Sequence, residues 1–320
     1  MSFHSSFAPL PFGTHGVLTV QSLNFVVCPE YHGATFLSLL LNNHSRVTSL
    51  GDTIPARRHV DTAYCSCGSV IRHCPFWSTI LDMTRFERLR AKEKVLPLLP
   101  RLADRHQSLN RAAAIAVGSV ANFVGPSAWS LIGKRRDEYV DVYKRFYCAV
   151  KGFHGTDVFI DGSKSMSKAF VLGSLLPQAE VRVLHLVRDP RDHHCSHLKN
   201  KPASASLETS ARGWRNRHLA IVGMVRLMRG ARYLRVRYED LCGNPEETIS
   251  NVFELFGVDY EDVFHPQRDP RRNHVIGSRT KSRFDGTIKT SSDWREKLTR
   301  AEATTIARLA WPLFRRFGYH

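Results

Sequence analysis

Arg188 and Ser196 stand eight residues apart, on either side of a strand end and a proline, a spacing that can bring a guanidinium and a hydroxyl onto one phosphate. The run is VRVLHLVRDPRDHHCS (181–196). Val181, Val183, Leu184, Leu186 and Val187 read as a strand buried on both faces, and Pro190 suits a helix's first turn, where no amide donor is missed. Arg188 then lies at the carboxyl end of a parallel strand, the edge where open α/β sheets bind ligands. The plainer alternative pairs Arg188 with Asp189 or Asp192. A second anion site is expected after LNFVV (23–27), where a turn containing Gly33 leads to the apolar helix 34–41. Amides at a helix N-terminus present positive dipoles to an anion, Gly33 permits close backbone approach, and Thr35 offers a hydroxyl. Lys164, just beyond the β-forming run 158–160, would face the same edge.

These residues need a scaffold that brings strand ends together. Short β-forming runs at 23–27, 158–160, 181–187 and 233–236 alternate with helical stretches, which argues for a parallel sheet. The stretch 84–152 shows no strand-like alternation and is broken by Pro97, Pro100, Gly125 and Pro126; it is expected to be a helical insertion over an acceptor site. One domain across residues 1–320 is the economical organisation.

Several segments resemble sulfotransferases that use 3′-phosphoadenosine 5′-phosphosulfate (PAPS), bacterial members in particular. In that family a strand-end Arg and a Ser eight residues on hold the nucleotide's 3′-phosphate, the places taken by Arg188 and Ser196. VFIDGSKS (158–165) resembles the family's "DSSK" strand end, RYEDLCGNPEE (237–247) its "RYEDL" segment, and HVIGSRTKSRF (274–284) followed by DWREKL (293–298) its late loop and final helix. The likeness runs from about residue 23 to the C-terminus. It implies an α/β fold, a P-loop-like three-layer sandwich around a central parallel sheet, with PAPS as donor and 3′-phosphoadenosine 5′-phosphate as product. It further implies that Tyr31, Gly33, Ala34, Thr35 and Ser163 line the 5′-phosphosulfate, that Arg283 of the late loop clamps the nucleotide, and that Tyr238 packs rather than binds.

The first phosphate turn departs from the family. Where relatives carry Lys or Arg before Ser-Gly, this chain reads Pro29-Glu30-Tyr31-His32-Gly33-Ala34-Thr35: Tyr31 takes the cation's place, His32 the first Ser's, and Ala34 that of the second hydroxyl residue. Electrostatic stabilisation is often the largest catalytic contribution, so the missing charge matters. Lys164 could replace it, or His32 if protonated beside an anion. The general base that sulfuryl transfer to a hydroxyl requires is a Glu in a "GE" step in several family branches, and Gly51-Asp52 matches that step one methylene short. Asp52 is therefore the candidate base, with His59 and His154 as weaker ones.

Composition sets outer bounds. The formal charge of +17 over 320 residues favours anionic ligands. The basic residues are scattered rather than gathered in a tail, and no aromatic-rich RNA motif joins them, so nucleic acid is not expected as a partner. A small molecule, carbohydrate or lipid is the expected acceptor. A P-loop kinase is disfavoured because no Gly-Lys-Ser/Thr follows the first strand. No run is long and apolar enough for a bilayer and no leader pattern is visible, so a cytoplasmic protein is expected. Seven cysteines, odd in number and spread widely, do not suggest a disulfide scaffold. Cys65, Cys67 and Cys74, in a "CSCG…CPFW" segment that bacterial relatives share, could ligate zinc with His73 or His59. The spacing matches no common zinc module, so a packed substrate-side loop of reduced thiols, with no metal, is expected. The altered first turn also supports a different class of function, a noncatalytic relative that binds a nucleotide or a partner.

Overall fold

A computed structural model describes residues 19–52, 61–84, 134–266, 274–277, 285–288 and 294–320. Five strands form one sheet: β1 (Ser22–Val27), β2 (Val47–Ser49), β3 (Val158–Lys164), β4 (Glu180–Val187) and β5 (Arg232–Arg237). Their order is β2-β3-β1-β4-β5, and every pairing is parallel. From β1 the chain winds to one side for β2 and β3 and to the other for β4 and β5. The carboxyl end of β1 is thus the point where winding reverses, the usual ligand crevice of such sheets.

Strand alternation explains the layers. Leu23, Phe25 and Val27 of β1 join Phe159 and Val183 under the helices Pro75–Thr84, Lys134–His154 and Met166–Leu175, whereas Val26 joins Leu184 and Leu186 under Ala34–Leu41 and Pro245–Phe256. Helices therefore cover both faces, and the expected three-layer α/β sandwich is what the chain forms. A third cluster ties the C-terminus to Trp214 through Leu313, Phe314 and Phe317. The three-residue strand β2 was not anticipated. Apart from Thr84, which ends the helix Pro75–Thr84, the described part of the expected insertion 84–152 belongs to the helix Lys134–His154, whose Phe146 and Val150 are fully buried in the core. No helix among the described residues is long and apolar enough to cross a membrane.

One irregularity aims the site. Phe25 of β1 pairs with Asp161 and Val27 with Lys164, so two steps on β1 face three on β3, a bulge that turns Lys164 toward the end of β1. Gly162 sits at this bulge because a Cβ there would lie 2.5 Å from the Gly51 carbonyl oxygen. Asp161, fully buried, accepts the Ser163 amide at 2.9 Å and pairs with Lys168, holding the strand end in shape.

Candidate active site

The turn after β1 has no cationic side chain, and its conformation comes from the backbone. Tyr31 (φ 65°) and Gly33 (φ 87°) are both left-handed, and Gly33 precedes the fully buried helix Ala34–Leu41. A side chain at Gly33 would meet the Tyr238 ring at 2.5 Å, so this position needs glycine both for its φ and for the close approach. Ala34 and Thr35 are buried in the first helical turn, and Gly277 of the late segment packs directly on the Thr35 side chain. Glu30, which could have repelled an anion, is paired with Lys201 at 2.9 Å.

At the end of β4 the structure brings together the two residues singled out by spacing. One Nη1 of Arg188 donates to Ser196 Oγ at 3.2 Å and to the Tyr31 carbonyl at 3.1 Å. The guanidinium lies over the Tyr238 ring, 4.9 Å from its centre, and Trp214 donates to the Arg188 carbonyl at 2.9 Å. Asp189 does not take Arg188 as a partner among these bonds. It caps the helix Pro190–Asn200 and holds Arg191 through a two-pronged ion pair, with the guanidinium of Arg191 stacked 3.9 Å over Trp294. Asp192 accepts the Trp294 amide instead, and burial pushes its carboxyl up to about 7. Arg188 thus joins the first turn to the Ser196 helix, and Tyr238 packs against both.

A cavity of about 330 Å³ opens beside the turn, lined by Glu30, Asp52, Ser163, Lys164 and Arg217, with Met224 among its apolar walls. Lys164 Nζ lies 2.8 Å from Asp52 Oδ1. Burial opposes the Lys164 charge, but Asp52 and other nearby acidic groups outweigh it and hold the ammonium pKa above the ordinary lysine value. The two residues proposed as replacement cation and base are therefore ion-paired with each other. Ser163 also lines the cavity, next to the buried Asp161. Cys28, also on the wall, is pushed up to about 12 by burial and is an inert thiol. Arg217 was missed in the sequence. Its signal is faint: Arg217, Ile221 and Met224 fall on one helical face and all line the cavity.

His32 does not supply a cation. Its ring points into the core and heads a chain of fully buried imidazoles: Nδ1 lies 2.8 Å from the Glu30 carbonyl, Nε2 lies 3.0 Å from His218, His218 lies 2.7 Å from His185, and His185 lies 2.8 Å from the Tyr233 hydroxyl. The partners dictate the protons. A carbonyl can only accept, so His32 donates from Nδ1 and its Nε2 accepts from His218; His218 then accepts from His185, and His185 accepts from Tyr233. Burial, aided by the fields of Arg188, Arg217 and Lys164, pushes His32 down to about 3. Burial does the same to His185, to about 3, and lowers His218 well below the usual imidazole value. His32 is a neutral donor that fixes the Glu30 carbonyl and with it the turn.

The remaining candidates lie elsewhere. Arg283 and His59 fall outside the described residues. His154 stacks on Phe76, 4.9 Å between centres, away from the cavity. Residues 274–277 run beside the end of β2, where Asp52 donates its amide to the Ile276 carbonyl at 2.8 Å and Ile276 donates to Leu50 at 2.9 Å. Of the two histidines offered as partners for Cys65, Cys67 and Cys74, His73 is exposed, and it is His274 that closes on the three sulfurs.

The chain is similar to several solved structures. The sulfotransferase domain from the Synechococcus PCC 7002 olefin synthase is 16% identical with a TM-score of 0.52, over 96% of this chain and 98% of that one. The sulfotransferase domain from the curacin biosynthetic pathway is 12% identical with a TM-score of 0.48, over 94% and 99%. Sulfotransferase STF9 from Mycobacterium avium is 13% identical with a TM-score of 0.44, over 94% and 78%. No curated protein matches in sequence. The family model described as the sulfotransferase family matches residues 25–262, well over half of the chain, and with the parallel sheet and the strand-end site in view the chain belongs to the sulfotransferase family.

Proposed function

We propose that this chain is a PAPS-dependent sulfotransferase of the cytoplasm that acts on a hydroxyl or amine of a small molecule, sugar or lipid. The observation that carries the reading is the cavity at the β1 end, where Lys164 and Asp52 meet beside Ser163 and Arg217. The donor set also fits the nucleotide: Arg188 and Ser196 for a 3′-phosphate, turn amides with Ser163 and Lys164 for the 5′ side. Bound PAPS would supply the activated sulfuryl group. Lys164 contributes the cation that the turn lacks, Arg217 adds a second positive charge on the cavity wall, and Asp52 accepts the acceptor's proton. In this reading Arg283, which lies outside the described residues, keeps the nucleotide-clamping role that the family resemblance gives it.

A noncatalytic binder is the second reading, favoured by one feature: the turn has no cation of its own and Lys164 is already paired. Transfer of labelled sulfate from PAPS to a panel of hydroxylated and amino acceptors, without magnesium, separates the two. Labelled acceptor product is expected. Tight binding of 3′-phosphoadenosine 5′-phosphate with no transfer to any acceptor would select the binder.

A further inference from the structure

We propose that Cys65, Cys67, Cys74 and His274 form a tetrahedral zinc site. Each offers one ligand atom, and the four atoms lie within 4.8 Å of one another. Cys74 Sγ is 3.3 Å and Cys65 Sγ 3.7 Å from His274 Nδ1, and Cys67 Sγ is 3.6 Å from Cys74 Sγ. A tetrahedron with Zn–S of about 2.3 Å and Zn–N of about 2.0–2.1 Å has edges of about 3.5–3.8 Å. The side chains already stand near those spacings, converging on one point. An iron–sulfur cluster would hold its four ligands farther apart than a single ion does.

The surrounding chain is built to present these atoms. Gly68 (φ 89°) turns the C-S-C-G segment back on itself, with Gly68 donating to the Cys65 carbonyl at 3.0 Å and Cys65 to the Ser69 carbonyl at 2.9 Å. From the other side, His274 is fixed by Trp77, which donates to its carbonyl at 3.2 Å, and by Phe76, stacked on its ring with centres 4.9 Å apart. Three thiolates and an imidazole are the donor set of structural zinc, and four protein ligands leave no open position for catalysis. The site would staple residues 63–77 to the segment whose Ile276 bonds Leu50 and Asp52. It replaces the metal-free packed loop expected from the sequence, where the fourth ligand, 200 residues from Cys74, left no local trace.

The test does not depend on sulfuryl transfer. The full chain, purified under reducing conditions from zinc-supplemented cells, is expected to carry about one zinc per molecule by elemental analysis. Cobalt in its place should give thiolate-to-cobalt charge transfer and the visible bands of a tetrahedral ion. Cys74→Ser should weaken metal binding about a hundredfold or more, while Cys148→Ser retains it. Should Cys74→Ser fail to fold, the cobalt spectrum of the unaltered chain decides. Reduced protein that holds no zinc and gives no charge-transfer band with cobalt, or a Cys67–Cys74 disulfide under those conditions, would overturn the proposal.

Discussion

At the end of β4, Arg188 and Ser196 reach the same point from positions eight residues apart, whereas at the end of β1 the charge beside the turn arrives from elsewhere, Lys164 on β3 and Arg217 on the helix Leu207–Leu227. The first site is a local device: one strand end, one cap, one helix. The second is an assembly, with its backbone from 29–33, its cation from a bulged strand, and its carboxylate from the loop after β2. An anion responds to the field and donors around it, not to which segment supplies them. In the proposed reading, the cation absent from the phosphate turn is replaced from a neighbouring strand that ends at the same edge, aimed there by a local bulge.

The strongest challenge to that comparison is to remove the imported charge. Lys164→Met keeps the length of the side chain and tolerates the loss of the ion pair, since Asp52 is 43% exposed. Turnover is expected to fall about 10³-fold, the upper range for deleting one preorganised stabiliser of developing charge, with nucleotide affinity falling less. If turnover survives and Arg217→Met abolishes it, the cation of this site comes from the helix rather than from β3. The partner carboxylate comes next. Asp52→Asn should lower kcat about 10²-fold, with nucleotide affinity nearly unchanged, because a general base acts on the acceptor proton and not on the nucleotide. Full turnover in that variant would confine Asp52 to holding Lys164.

The local site should break more gently. A charge-assisted hydrogen bond is worth about 1.5–3 kcal/mol, so Arg188→Ala should weaken binding of 3′-phosphoadenosine 5′-phosphate about tenfold or more while leaving AMP binding nearly unchanged. Titration calorimetry with both nucleotides checks this. Equal affinity of the parent chain for the two would remove the 3′-phosphate assignment from Arg188 and leave it as the tie between the first turn and the Ser196 helix.

The same contrast governs what was legible in the amino-acid order. Arg188, Pro190 and Ser196 share one strand–turn–helix unit, so spacing alone joins them. The apolar run 34–41 likewise matched its helix, and the alternating β-forming stretches matched four of the five strands. The three residues of β2 are too few to show a period. Lys164 and Asp52 lie 112 positions apart in sequence, and only the order β2-β3-β1, with the bulge opposite Phe25–Val27, makes them neighbours. Arg217 looks like any helical arginine until Ile221 and Met224 are seen to face the same cavity. The surroundings of His32 were hidden for a related reason. A histidine in a phosphate turn suggests a cation, but its ring joins two other histidines from β4 and the helix Leu207–Leu227, contacts that no spacing within the turn encodes.

That histidine chain gives the smallest and most specific expected effect, on stability rather than turnover. In the unfolded chain each imidazole protonates near pH 6.5, whereas in the folded chain His32 and His185 do so only near 3. Between those values the unfolded state binds more protons, so the stability these residues contribute is fully present above pH 6.5 and is lost as pH falls toward 3. For a group shifted this far, moving from pH 7 to pH 6 costs about 0.7 kcal/mol, from His32 and from His185 alike. Urea unfolding at the two pH values should show the parent chain less stable at pH 6. His32→Asn, which retains a donor for the Glu30 carbonyl, should lose less over the same interval, by about one histidine's share. An identical pH dependence in parent and variant would mean that His32 titrates normally in the folded protein. In that case it would be available as a cation in the turn after all, and the charge at the end of β1 would no longer need to come from β3 or from the Arg217 helix.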